Sequence, residues 1–241
     1  MHPIRVVWEV YLSTNSLSRT SLYNARVGFW SAIAFAVLLT ALNIAFTIMA
    51  FQVPASEWQG MEVYARTYRV VAFVPQAIGL LTIPALVLML ISIHLYTDER
   101  RKVWSLAGLL FGTAYAGLLG ALYFVQVGVL LPALKRGNWQ GLDQFAFANS
   151  HSVAWGLDHF AWALLGVALF LMAWVFEGDR LKRWIRCLFV LNGLGNISLV
   201  FAFAFEVEAM TLGVAFLSWV VALPITAVLV GLMFRNVQRA Y

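Results

Sequence analysis

Six runs of apolar residues set the limits on what this chain can be, because each is close to the roughly 20 residues that a helix needs to cross a hydrocarbon core. They fall at about 28–51, 70–96, 105–134, 155–176, 187–205 and 211–234, with short connections between them. In lipid a backbone must satisfy its own N–H and C=O groups, so runs of this length read as helices. Only 11% of the 241 residues are charged, against about a quarter in soluble domains. The expected fold is therefore all-α: a polytopic membrane protein with a six-transmembrane-helix bundle over 28–234. It is preceded by a cytoplasmic or interfacial segment, 1–27, and followed by a tail, 235–241. A separate soluble domain has no room, and no period of 20 to 50 residues points to a repeat architecture.

Three stretches read as interfacial. At the N-terminus Ile4, Val7, Trp8 and Tyr11 recur at helical spacing, as in a helix lying on the membrane surface. After the first span, Ser56 and Gln59 have the spacing of a capping box, and Trp58, Met61, Tyr64 and Tyr68 share a face. The third stretch lies around residues 138–154.

Basic residues settle the expected orientation. Twelve lie on the side of the two termini: Arg5, Arg19 and Arg26, the loops carrying Arg100–Lys102 and Arg180–Arg186, and Arg235 and Arg239. Four, Arg66, Arg69, Lys135 and Arg136, lie on the other. Positive loops stay in the cytoplasm, so both termini are expected there, in a cell-membrane protein. Scattered in this way, the +5 formal charge reads as topology, and nucleic acid is not an expected partner. Cys187 is the only cysteine, which excludes an intrachain disulfide and any CxxC motif.

Small and polar residues then suggest packing. Gly108, Gly112, Ala116 and Gly120 recur every four residues along the third span, a ladder that lets a second backbone approach closely. Its partner is a neighbouring helix or, in a homo-oligomer, a second copy. Asn192 and Asn196, one turn apart in the fifth span, read as helix–helix hydrogen-bonding groups. Pro75, Pro84 and Pro224 interrupt the spans and open a bundle by kinking it. Gln76 and Gln126, towards the outer ends of their helices, are the expected lining of an outward-opening pocket.

The chemistry concentrates in Asp143–Trp162. If helix reaches back to His151, then His151, Trp155, Asp158 and Trp162 share a face, with His159 adjoining and Glu206 at the end of the fifth span. Imidazole and carboxylate together suit a metal ion or acid–base work, although the spacing matches no established motif, and the metal, if any, is not specified. The alternative is an interfacial belt, with Asp158 assisting the helix N-terminus and Trp155 and Trp162 at the headgroup level. No cofactor is expected: His94 has no facing histidine for haem, and phosphate-binding glycine motifs are missing. Three functions stay open. The first is binding or passage of an apolar or amphipathic small molecule; the second is an intramembrane enzyme acting on a lipid-like substrate through His151, Asp158, His159 and Glu206. The third is a structural or accessory subunit joined through the glycine ladder. Membrane lipids are partners in all three. The orientation predicts that a cysteine replacing Gly141, in a Cys187→Ser background, reacts with a membrane-impermeant maleimide on intact cells; labelling only after permeabilisation inverts the map.

Overall fold

The computed structural model describes residues 3–52, 58–207 and 213–240, which are helical with short connections and no strand. In chain order the α-helices are α1 (Pro3–Gln52), α2 (Met61–Thr67), α3 (Val74–Tyr96), α4 (Lys102–Phe124), α5 (Leu131–Arg136), α6 (Val153–Met172), α7 (Arg180–Ala204) and α8 (Leu223–Arg239). Six stretches are long and apolar enough to cross a membrane: Ser21–Gln52, Val70–Tyr96, Glu99–Arg136, Val153–Val175, Arg180–Ala204 and Leu217–Arg239. The chain is a multi-pass membrane protein. The fifth span begins seven residues before the expected 187, because Asp179 caps α7 by accepting from the Lys182 N–H and so carries the basic segment into the helix. At the N-terminus α1 is one uninterrupted helix from Pro3 into the first span. Ser56 of the expected capping box lies outside the described residues.

Each span packs on its neighbours in sequence, and the last returns to the first. Thus α1 lies against α3 and α8, α3 against α4, α4 against α6, α6 against α7, and α7 against α8. With an even number of spans, both termini share one end with the basic loops, called here the basic end. The other, capped end is covered by a second hydrophobic cluster, in which Met61 from α2, Phe73, Leu130, Leu134 and Ala146 are buried against one another. Tyr64 belongs to this cap, and burial there, with Tyr68 beside it, pushes its phenol up to about 12.

Prolines shape the helices differently from the expected kinks. Pro75 sits in a first turn, where the missing N–H is already without a helical partner; Pro84 is interior to α3, and Pro224 follows directly on a π-helical segment within one continuous helical run. Two π-helical segments, Val125–Leu130 and Ala215–Ala222, each run into a helix that opens on a proline, Pro132 and Pro224. A proline cannot donate to the ladder behind it and crowds the carbonyl one turn back. A wider turn relieves that crowding and rotates the side chains it carries.

Glycines mark the closest approaches. A Cβ on Gly108 would meet the Ala168 carbonyl oxygen at 2.8 Å, and one on Gly112 would meet Leu90 Cδ1 at 2.3 Å. The ladder of the third span is thus turned inward, onto α6 and α3, with Ala116 buried and Gly120 facing Ile83. The tightest backbone crossing is between α6 and α7, where a Gly166 Cβ would lie 2.7 Å from the Gly193 oxygen and 2.8 Å from the Ile197 nitrogen. Neither atom can move without its helix. Gly166→Val should therefore lower the melting temperature in lipid nanodiscs, by the roughly 1–3 kcal/mol of an overpacked core or more. Gly117→Ala, where a Cβ meets nothing within 4 Å, should be neutral or stabilise by up to about 1 kcal/mol.

Candidate functional site

Polar side chains in the interior of the bundle are nearly all paired within it. Between α7 and the sixth span, Asn192 Nδ2 donates to Thr226 Oγ1 at 3.3 Å, and Ser218 Oγ donates to Asn192 Oδ1 at 2.8 Å. Asn196 Nδ2 donates to Ser218 Oγ at 2.8 Å, and Trp219 Nε1 donates to Asn196 Oδ1 at 2.7 Å. From the first span, Asn43 Nδ2 reaches the Trp219 carbonyl at 2.8 Å. The π-helical segment 215–222 holds both Ser218 and Trp219, so its wider turn sets them against the two asparagines.

Trp219 then faces the centre. Its ring stacks on Trp162 of α6 with centroids 4.4 Å apart, and Trp162 in turn lies 5.4 Å from the Tyr115 ring of α4. These three rings form a floor linking three spans. Nearer the capped end, a second aromatic row runs Tyr123, Phe147, Trp155, His159 and Phe203, with successive centroids 5.0–6.0 Å apart.

Asp158 lies with these two tiers, on the face of α6 that carries Trp162 one turn on. It is five residues into α6, about 8 Å along a helix rising 1.5 Å per residue. It is 7% exposed, and its Oδ1 has no hydrogen-bond partner. Tyr115 and Tyr123, both buried, lie within electrostatic range of the carboxylate, and the Trp162 indole is the side-chain donor beside it. None of these neighbours carries a positive charge. The expectation that Asp158 serves the helix N-terminus is therefore corrected: Ser152 caps α6 by accepting from the Trp155 N–H at 3.2 Å, and Asp158 points inward one turn deeper. Trp162 likewise belongs to the core, 4% exposed, and not to an interfacial belt.

The other predicted residues are distributed as follows. Helix does not reach His151, because α6 starts at Val153; His151 is exposed in the preceding turn. His159 is buried and holds its Nδ1 against the Trp155 carbonyl at 2.9 Å, which places the proton on Nδ1 and leaves Nε2 as the acceptor. As adjacent residues on a helix, Asp158 and His159 point about 100° apart, one towards the tyrosines of α4 and the other towards Phe203. Glu206 is exposed in the turn after α7, at φ 55°. Among the described residues no three histidine, cysteine, aspartate or glutamate side chains are grouped to hold a metal ion. No family model, curated protein or solved structure matches the chain. What the site can do rests on its own chemistry.

Both glutamines are buried and engaged in structure. Gln126 Nε2 donates to the Phe145 carbonyl at 2.5 Å and its Oε1 accepts from the Phe147 N–H at 3.3 Å. One amide thus clamps the connection 137–152 over the aromatic row, and the π-helical turn at 125–130 presents it. Gln76, oriented with its nitrogen towards the backbone, donates to the Ala72 and Phe73 carbonyls at 2.9 and 3.3 Å. Sequence reasoning missed Tyr115, Tyr123, Phe147 and Trp219. The one available signal was a pair of tyrosines eight residues apart, hence on one helix face, in a span where phenylalanine would do for packing alone.

A carboxyl kept dry without a partner costs stability, about 1–3 kcal/mol for an unsatisfied buried polar group. Asp158→Leu should therefore raise the melting temperature of the purified protein. A lowered melting temperature would mean that the carboxyl holds the fold together.

Proposed function

We propose that this protein binds, or passes across the outer half of the membrane, an amphipathic small molecule whose cationic head meets the Asp158 carboxyl. The observation that carries this reading is the carboxyl itself, buried among spans with one oxygen unpaired and, among the described residues, no ion pair to neutralise it. An ionisable side chain inside a membrane bundle is expensive and is usually retained for a ligand or ion path. The walls suit a cation with an apolar body, since Tyr115, Tyr123 and Trp162 offer π-faces that attract a protonated or quaternary amine. The cap formed by α2 and the 137–152 connection separates this interior from water, and the Gln126 clamp is the fastening that a ligand's passage has to release. With the capped end outside, as the basic residues predict, entry is from the outer face.

The enzyme alternative is less well supported, since only two of its four proposed groups are buried, and these point to different neighbours. The accessory-subunit alternative loses its docking surface, since the glycine ladder is occupied by α3 and α6.

The test is ligand-dependent stabilisation in nanodiscs, comparing octylamine with octanol and octanoic acid. A ligand present at about 100 times its dissociation constant adds roughly 2.7 kcal/mol to the folded state, a readable rise in melting temperature. Octylamine should raise it more than octanol or octanoic acid does in the natural protein and lose that advantage in Asp158→Asn. Equal stabilisation by octanol, or an unchanged octylamine response in the variant, overturns the reading.

A further inference from the structure

A groove at the basic end, remote from Asp158, has the form of a lipid seat. It runs between α1 and α3 with a volume of about 510 Å³, its walls including Trp30 and Ala34 on one side and Leu81, Pro84 and Leu88 on the other, with Arg26 among its lining residues. The walls face outward from the bundle: Trp30 is 67%, Leu81 59% and Leu88 45% exposed, which in a membrane means exposed to acyl chains. The groove persists although α1 and α3 pack closely, because Ala34, Pro84 and the buried Ala85 are short where a longer side chain would fill the space. Its volume is in the range of small-molecule sites, roughly 300–1,000 Å³.

Arg26 supplies the polarity. It stands five residues after the start of the first membrane span at Ser21, is exposed, and makes no ion pair with any acidic residue among the described residues. A guanidinium binds phosphate through two parallel N–H donors, and Trp30, one turn further in, is the amphipathic ring that settles at headgroup level. Of the other lining residues only Ser31 is polar, and its hydroxyl donates to the Gly28 carbonyl one turn back, so a cation at one end of an otherwise apolar groove is complementary to an amphiphile with an anionic head. We infer that this groove holds one acyl chain of an anionic phospholipid, with the lipid phosphate paired to Arg26. A second copy of the chain fits less well, since it would have to bring a carboxylate to Arg26 and an apolar ridge to the groove together.

The experiment uses the full chain in phosphatidylcholine nanodiscs, exchanging part of the lipid for phosphatidylglycerol and reading the melting temperature and the lipids retained in native mass spectrometry. Phosphatidylglycerol should raise the melting temperature and remain bound. Arg26→Gln should lose at least half of that shift, with Arg26→Lys recovering part of it. Leu81→Trp, which fills the groove and leaves the charge in place, should lose it too. Arg183→Gln is the control, because Arg180, Arg183 and Trp184 line a separate basic crevice, and it should behave as the natural protein does. An unchanged melting temperature when phosphatidylglycerol replaces phosphatidylcholine, an Arg26→Gln protein that responds fully, or transfer of the loss to Arg183→Gln each overturns the assignment. So does an equal shift from inorganic phosphate alone, which would mark an anion site without a lipid.

Discussion

With no water in the hydrocarbon core, every polar group placed there has to find its partner inside the chain, and the arrangement of this bundle follows from that requirement. The backbone meets it by forming helices. The side chains meet it through dense networks such as the one that joins Asn192, Asn196, Ser218, Trp219 and Thr226. Each interhelical hydrogen bond of this type is worth well under about 2 kcal/mol in a membrane protein, so the network's value lies less in raw stability than in register. It permits one rotation of the sixth span against the fifth, the rotation that turns Trp219 onto Trp162.

The two π-helical segments serve the same end. A regular α-helix distributes side chains by a fixed 100° step, and a closed bundle built from such helices has little freedom in what it presents at its centre. Widening one turn ahead of Pro132 and another ahead of Pro224 changes that step locally. One widened turn brings Gln126 to the connection at the capped end, and the other brings Ser218 and Trp219 to the asparagines. In each case a proline follows two residues after the altered turn, and the wider turn accommodates its missing N–H. The departures from regularity are thus concentrated where polar side chains must be aimed, and the rest of each span is free to pack as apolar helix.

What could be read from the sequence follows the same division. Hydropathy alone locates the six spans, because the cost of burying charge acts on every residue of a span at once. The glycine ladder identifies a packing face, but its direction, inward onto Ala168 and Leu90, depends on which helix is the neighbour. Asp158 is the instructive error. A carboxylate six residues after Ser152, the real cap, lies near enough to the helix start to suggest a boundary role, and only the burial of α6 against α4 assigns it to the interior. The π-helical turns are equally hidden: Pro132 and Pro224 are plain in the sequence, and neither discloses that the chain widens before it. The grouping of Tyr115, Tyr123, Trp162 and Trp219 draws on three spans, and its only local trace is the spacing of the two tyrosines.

Asp158 stands outside the rule that governs its neighbours, and this makes it the most informative side chain in the molecule. The bundle had the means to pair it. Ser, Asn and Gln side chains elsewhere in the interior are held by one to three hydrogen bonds each, and the tyrosines of α4 are close by. A carboxyl whose only task was structural would be expected to occupy a site with its donors in place, since an apolar residue of similar volume would otherwise pack at lower cost. The unpaired oxygen instead leaves a stabilising interaction unmade in the ligand-free chain, and a cation arriving at that oxygen gains in proportion to what the fold left unsatisfied. Because the two aromatic tiers are apolar on their faces and held by one stacked pair and a series of edge-to-face and tilted contacts, the selectivity of such a site lies in the charge and the breadth of the guest more than in directional hydrogen bonds.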